Sequence, residues 1–546
     1  MKNELNVIKA EKGITFYELL KKNDKINERN IAVCKLNDVY HSLGDRIEEE
    51  GEVYLIPFTM DFGMKIYVRT LQFIFVKAAL DIFPNSKVKI EHSISKGLFG
   101  EIRKESPLTE EEILKIKNRM CKLINQSIVI NKKTVSKEYA IKYFEKIDMD
   151  DKVSLLEHLD LKEINLYELD GRYGYFYGFL AYSTGFIKTF DLMYYEGGFI
   201  LRRPSKYNLD TLSDFKEQKS LTNIFRETEK WLNILGIETV GSLNRKIENN
   251  RTQNIVLVSE ALHEKKIAYI ADEISNRKST KVVFIAGPSS SGKTTFSKRL
   301  SIQLRVNGLI PITLSMDDYF LDRDETPKDE NGDYDYETIN ALDLNLFNRD
   351  LTEILQGKEV NIPTFNFKLG KKEWLGNKVI LPQNGVLIIE GIHGLNPLLT
   401  KRIPKDKVFK IYISALTQLN IDYHNRISTT DVRKLRRIVR DSLSRGYGAE
   451  ETLKMWSSIK RGEKSSIFIY QEEADAMFNS TLLYELSVLK PYALNELSKI
   501  SKDSDVYLEA SRLKEFLELF KEIDEKYIPE NSLLREFIGG SCFYEY

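Results

Sequence analysis

Ile285 to Ser297 read IAGPSSSGKTTFS, and this stretch decides the fold of the C-terminal half of the chain. Gly287, Gly292, Lys293 and Thr294 fit G-x-x-x-x-G-K-[ST], and the loop Gly287-Pro288-Ser289-Ser290-Ser291-Gly292-Lys293-Thr294-Thr295 follows KVVFIA, an apolar β-branched run that reads as a buried strand. The glycines let successive N–H groups point at β- and γ-phosphates, and a helix starting near Lys293 adds its positive dipole end. Lys293 then bridges the β- and γ-phosphates while the Thr294 hydroxyl ligates Mg²⁺. A mere Gly/Ser-rich turn would not need this spacing behind a strand. The loop does not say whether water, a protein or a small molecule receives the phosphoryl group.

Length and composition bound the rest. At 546 residues the chain is too long for one ordinary core. Its formal charge of +0 provides no global field for nucleic acid or an anionic membrane, although local basic patches remain compatible with it. Cys34, Cys121 and Cys542 are far apart and form no metal-ligand spacing. The N-terminus has no apolar core of signal-peptide type, and no stretch approaches the ~20 apolar residues that span a bilayer. These features imply a soluble cytoplasmic protein without a membrane partner.

The first sixty residues read as a small α/β module: a strand at Leu5 to Lys9, a helix in TFYELLKK, the strand NIAVCKL, a turn at Asn37-Asp38 and VYHSLGD. A helix from about Lys65 to Phe83-Pro84 leads into KVKIEHSISKGLFGEI, a hairpin pattern. PLTEEEILKIKNRMCKLI follows, with Thr109 and Glu112 as a capping box. YGYFYGFLAYSTGFIKTFDLMYYEGGFILRRP is β-rich and aromatic, suited to core and rim or to stacking on bases. A helical stretch from about Leu212 to Arg277 precedes the strand of the phosphate loop. After Lys281, β-runs alternate with helical patterns, which signals a parallel α/β sheet. The tail SDVYLEASRLKEFLELFKEIDEKYI is an amphipathic helix.

The module of the first sixty residues resembles the ubiquitin-like TGS domain of threonyl-tRNA synthetases, and the pieces after it resemble their second additional domain. The expected division is residues 1–62 as TGS-like, 63–240 as second-additional-domain-like, 241–280 as helical connection, 281–500 as P-loop domain and 501–546 as helical tail. The expected fold class is α/β, with a C-terminal P-loop NTPase domain behind α+β ubiquitin-like and synthetase-like domains. The synthetases carry H-x-x-x-H and a later Cys/His pair around their editing site. Here His41, His92 and His158 stand alone, so no editing is expected and the histidines read as structural.

Phosphoryl transfer needs an acceptor-side base, a metal-side carboxylate and cations over the transferring group. PITLSM is a second strand, ending in Asp317-Asp318-Tyr319-Phe320, and Asp317 suits a base for a substrate hydroxyl, with a turn cap as the equal alternative. GVLIIEGIHGL is a third strand, ending in Glu390, which suits an orienter of Mg²⁺. In DVRKLRRIVRDSLSRGYGAEE, Arg433, Arg436, Arg437 and Arg440 occupy neighbouring positions of one helical face and Arg445 follows. They suit a lid over the nucleotide, with a solvated face or an RNA-binding stripe as the alternative.

GPSSSGKTTF, SMDDYF, DYDYETINALD, GKEVNIPTFNF, VLIIEGI and RRIVRDSLSRG, in this order, resemble the uridine kinase and phosphoribulokinase family over roughly Lys281 to Ile500. The resemblance implies ATP and Mg²⁺ as cofactors and Asp317 as the base that activates a ribose 5′-hydroxyl. It further implies Lys293 and Arg440 in catalysis, Thr294 and Glu390 on the metal side, and Tyr336, Glu337, Phe365 and Asn366 beside the acceptor. Arg437, Arg440 and Arg445 match the family's lid arginines, and residues 287–295 with Arg437 and Arg445 hold the nucleotide. Three departures fall on the base-reading side. YETINALD replaces F-D-H-P before A-F-D, Gly370 stands where a histidine is expected, and Arg445-Gly446-Tyr447 replaces R-G-R.

The implied activity is an ATP-dependent kinase of the 5′-hydroxyl of a nucleoside, uridine or cytidine. Its partner is a small-molecule nucleoside, while nucleic acid, which is not favoured, and a homo-oligomer are left open. One alternative is a kinase of another hydroxylated metabolite such as a sugar phosphate, for which Lys368, Lys371 and Lys372 offer charge. The other is an RNA-binding regulatory P-loop ATPase. A GTPase switch lacks its N-K-x-D motif.

Overall fold

The computed structural model describes residues 7–328, 332, 334–366, 369–417 and 419–544. The chain divides into two compact units. The first comprises Met1–Gln218, Glu238–Ser242 and Gln418–Arg426, and the second comprises Lys219–Ile237, Leu243–Thr417 and Ile427–Tyr546.

The first unit begins with a four-stranded antiparallel sheet in the order Val7–Lys9, Glu52–Pro57, Ile31–Leu36, Val39–His41. The turn between the last two strands is the expected Asn37-Asp38, both at positive φ (48° and 63°), the conformation that a two-residue hairpin requires. The helix Phe16–Lys21 starts at Thr15, whose side chain accepts from Glu18 N while Glu18 reaches back, a capping box that the sequence reading did not single out. The helix expected from about Lys65 begins earlier and runs Asp61–Ile82. Nearly all of its middle is buried, so no polar face marks its start.

The hairpin Lys87–Ile94 and Gly97–Arg103 turns at Ser95-Lys96, again at positive φ, and Gly198–Arg202 and Asp191–Tyr195 extend it to four strands. Thr109 and Glu112 form the expected box at the head of Glu110–Asn125. His41 stacks on Phe16 at 4.9 Å, His92 stacks on Phe99 at 4.9 Å, and His158 is the C-cap of Asp150–Glu157.

Residues 418–426 are distant in sequence yet belong to this first unit. Ile90 N donates to Tyr423 O (2.8 Å), Asn420 Nδ2 to Ile90 O (2.6 Å) and Asn425 Nδ2 to Tyr175 O (2.9 Å). Lys152 Nζ lies 2.7 Å from Asp422 Oδ1, and both side chains are fully buried. Asp422 also accepts from the His424 and Asn425 N–H groups.

The second unit is built on a five-stranded parallel sheet. Its strands are β1 (Val282–Ala286), β2 (Ile310–Ser315), β3 (Gly385–Glu390), β4 (Val408–Ser414) and β5 (Ala476–Asn479), in the order β2-β3-β1-β4-β5. All five residues of β1 are fully buried, as an apolar run in the middle of a parallel sheet must be. In register, Glu390 lies opposite Ile285 on one side and Ser315 on the other. The phosphate loop, Asp317 and Glu390 therefore leave the sheet together at its carboxyl edge, where open parallel sheets bind ligands.

Removing Asp422 leaves the Lys152 ammonium buried without its counter-charge, which costs about 3–5 kcal/mol. Asp422→Ala should therefore shift the urea transition of the first unit to a clearly lower midpoint. An unchanged midpoint would show that water reaches Lys152.

Candidate active site

The phosphate loop is shaped by contacts that exclude side chains. A Cβ at Gly287 would lie 2.0 Å from the Ile413 carbonyl oxygen, so β4 can run beside the loop only if this residue is glycine. Gly292, at φ +86°, is the N-cap of the helix Lys293–Val306. The first N–H groups of that helix have no intrahelical acceptor and face the loop.

Lys293 Nζ curls back to donate to Gly287 O (3.0 Å) and Pro288 O (3.3 Å). Burial pushes its pKa down, opposed by the nearby charges of Glu390, Asp317 and Glu536. Asp317 is half-buried, and burial raises its pKa against the pull of Lys293, Arg445 and Arg440. Burial also raises Glu390, to about 7, with Lys293 opposing and the negative charges of Asp317 and Glu536 adding to the rise. Three carboxyls thus surround one ammonium.

The Thr294 hydroxyl lies 3.3 Å from Glu390 Oε1. A hydroxyl and a carboxylate are the hard oxygen donors that Mg²⁺ takes, and a dication would relieve the crowding of anions around Glu390. The residues present fit that ion.

The arginine helix runs Thr429–Ser444, and its arginines divide into two sets. Arg433 and Arg436 are buried and tied down. Arg433 donates to Ser289 O (2.9 Å) and pairs with Glu463, while Arg436 pairs with Glu485 (2.5 Å) and donates to Ser480 O. Arg437 donates to Ser289 Oγ (2.6 Å), and Arg437 and Arg440 share Asp441 at 2.9 and 2.7 Å. Arg445 is 3.8 Å from the same carboxylate. The helical spacing placed all four on neighbouring positions, but periodicity alone does not tell which guanidiniums are buried in ion pairs.

On the acceptor side, Tyr336 and Phe365 both pack edge-on against Phe320, at 5.6 and 5.8 Å between ring centres. Asp318, the neighbour of Asp317, accepts from Phe365 N at 3.2 Å and so joins this cluster to the strand end. Glu337 sits against Gly462 of the helix Ala449–Ser466, where a Cβ would lie 2.1 Å from the Glu337 Cβ. Burial raises Glu337 to about 7, with Glu463 adding and Arg437 and Lys293 opposing. Asn366 is engaged in the adjoining turn, its side chain accepting from Leu369 N and its carbonyl from Gly370 N.

Gly370, at the position expected to hold a histidine, has φ +68°, and a Cβ there would meet the Arg323 side chain at 2.7 Å. A histidine would be strained and obstructed in this turn. Lys372 is committed to Asp343 at 2.8 Å, Lys371 is exposed, and Lys368 lies outside the described residues.

The sequence reading missed three carboxylates or rings. Glu463 accepts from Ser289 N at 2.9 Å, Glu536 accepts from Thr295, and His393 lies buried just after Glu390 with its pKa held down to about 4 by burial. GIHGL carried a signal for His393 in its position behind the strand. Nothing local marks Glu463 or Glu536.

Residues 282–484 match the model of the phosphoribulokinase/uridine kinase family. The N-terminal part matches threonine–tRNA ligases. The one from Caldanaerobacter subterraneus subsp. tengcongensis is 32% identical over 191 residues, covering 35% of this chain and 30% of that protein. The one from Geobacillus sp. strain WCH70 is 30% identical over 166 residues, covering 30% and 26%. The chain thus spans under a third of the length of these two relatives. Among solved structures, a D-glycerate 3-kinase from Cryptococcus neoformans var. grubii is similar at 17% identity and TM-score 0.21, over 53% of this chain and 87% of that one.

Because Glu337 has a pKa of about 7 against an ordinary 4.5, the native state retains a proton that the unfolded chain releases between those values. Wild-type stability from this group falls as pH rises through that window. Glu337→Gln should match the wild-type melting temperature near about pH 4 and exceed it by a growing margin up to about pH 8. A constant difference across that range would contradict the raised pKa.

Proposed function

We propose that this chain is an ATP-dependent kinase that phosphorylates the 5′-hydroxyl of a nucleoside, uridine or cytidine. The observation that carries the reading is the convergence of Asp317, Lys293, Glu390 and the Arg437–Arg440–Arg445 set at the carboxyl edge of one parallel sheet. A hydrolase needs only to place water. A raised, half-buried carboxyl beside the loop, with an aromatic cluster next to it, suits a hydroxyl held on an organic acceptor.

In this mechanism Asp317 accepts the proton of the attacking hydroxyl, its raised pKa bringing it nearer the working pH. Glu337, Tyr336 and Phe365 orient the acceptor, the carboxylate by accepting from ribose hydroxyls and the rings by stacking. Lys293 and the N–H groups at the start of the helix behind the loop bind the donor phosphates. Arg437, Arg440 and Arg445 neutralise charge on the transferring group once Asp441 shares them with it. Thr294 and Glu390 would hold Mg²⁺, which would supply charge neutralisation on the donor phosphates.

The commitment of Lys372 to Asp343 weighs against an acceptor that is already phosphorylated. The N-terminal likeness to threonine–tRNA ligases favours one second reading, an ATPase regulated by RNA.

Asp317→Asn should lower kcat by about 10² or more with ATP binding retained, the usual weight of a positioned base. Lys293→Ala should abolish tight ATP binding itself. Steady-state kinetics with isothermal calorimetry separate the two effects, and an Asp317→Asn enzyme of normal turnover would remove the assignment of the base.

A further inference from the structure

Four consecutive carbonyls of the phosphate loop accept from cationic side chains. Lys293 donates to Gly287 O (3.0 Å) and Pro288 O (3.3 Å), Arg433 Nε to Ser289 O (2.9 Å) and Arg436 to Ser290 O (3.4 Å). A loop whose carbonyls are held in this way keeps its N–H groups in one arrangement, which is what an anion-binding nest needs. Ser290 also sits at φ +58°, in the left-handed region that a serine keeps only when its surroundings hold it there. The loop therefore depends on a grip from outside itself.

At Ser289 that grip includes an anion. The Ser289 N–H donates to Glu463 Oε1 at 2.9 Å, and the same oxygen is paired with Arg433, whose Nε holds the Ser289 carbonyl. One buried ion pair thus takes both backbone groups of a single loop residue. Its members come from two helices, Arg433 from Thr429–Ser444 and Glu463 from Ala449–Ser466. Trp456, two turns before Glu463, carries the Arg433 guanidinium 5.5 Å from its ring centre.

The helix that carries Glu463 is itself braced on the acceptor side. Gly462 packs against Glu337 so closely that a Cβ would lie 2.1 Å from the Glu337 Cβ, and the Ser466 hydroxyl donates to Glu337 O at 3.0 Å. A side chain that positions others needs a locked place of its own, and these contacts provide it.

We infer that Glu463 is a positioning residue for phosphoryl transfer: paired with Arg433, it holds the Ser289 backbone, and with it the phosphate loop, in the geometry that binds the donor. The inference rests on the kinase reading of the site. Glu463 acts through Ser289 and not on the nucleotide. An apolar residue in its place leaves the Ser289 N–H without its acceptor and Arg433 without its counter-charge. The loop then leaves the binding geometry, and donor affinity falls by the fraction of time it spends there. A glutamine still offers an oxygen to both donors.

The test uses the full chain with Mg²⁺-ATP and with uridine or cytidine as acceptor. Wild type, Glu463→Leu, Glu463→Gln and Glu463→Asp are compared by calorimetry, steady-state kinetics, melting temperature and hydrogen exchange over residues 287–291. If the freed loop keeps its geometry about a tenth of the time, Glu463→Leu should bind ATP about tenfold more weakly. The loss should fall on KM for ATP more than on kcat, with faster exchange over 287–291, and Glu463→Gln should recover most of the affinity.

A lower melting temperature with wild-type ATP affinity in Glu463→Leu assigns the residue to the fold alone and overturns the inference. A Glu463→Gln chain as weak as Glu463→Leu also overturns it, because the oxygen on Ser289 is then not what counts. If Glu463→Leu fails to fold, Glu463→Asp decides, since it keeps a charge for Arg433 but draws the oxygen back by one methylene. Weaker ATP binding there upholds the grip, and wild-type affinity rejects it. Wild-type affinities in variants that still make phosphorylated product reject the role of Glu463 and leave the kinase reading standing. A wild-type chain that phosphorylates neither nucleoside rejects both.

Discussion

The positive N-terminal end of the helix Lys293–Val306, with the Lys293 ammonium beside it, is the charge on which the rest of the C-terminal unit depends. A buried positive site of this kind cannot stay uncompensated in a folded protein. Carboxylates from four separate parts of the chain answer it: Asp317 after β2, Glu390 after β3, Glu463 from the helix after the arginines, and Glu536 near the C-terminus. Burial raises Asp317 against the pull of the cations around it, and burial together with neighbouring carboxylates raises Glu390 and Glu337 to about 7.

The parallel sheet turns this charge into a site. Register fixes Glu390 opposite both Ile285 and Ser315, so three loops leave the sheet at one level. The arginine helix then serves two purposes with one repeat. Arg433 and Arg436 are locked into buried ion pairs that hold the helix against the loop, while Arg437, Arg440 and Arg445 gather on Asp441, a counter-ion that a transferring phosphoryl group would compete with. Buried anchoring pairs and a carboxylate shared by three arginines are thereby separated along a single helix.

Much of this was legible wherever the signal is local. Asn37-Asp38 and Ser95-Lys96 announced their turns, Thr109 and Glu112 their helix start, and KVVFIA with the glycine loop its strand and helix. What could not be read depends on distant partners. The start of Asp61–Ile82 is hidden because a helix buried on nearly all sides has no polar stripe. Nothing in QLNIDYHNR tells that Asp422 pairs with Lys152 or that this segment folds with the first unit. Glu536 and Glu463 are single acidic residues in amphipathic surroundings until the fold sets them on Thr295 and Ser289. The departures at Gly370 and in YETINALD were visible, and the positive φ of Gly370 explains why no histidine can simply be restored there.

The most direct measurement of the central claim is the mass of the product. The purified chain is incubated with Mg²⁺-ATP and a panel of nucleosides and sugar phosphates, and each acceptor is scored for the gain of one phosphoryl group. The account predicts phosphorylated uridine or cytidine, carrying the new group on the 5′-oxygen. No phosphorylated acceptor, together with ATP hydrolysis that rises when tRNA is added, would contradict it.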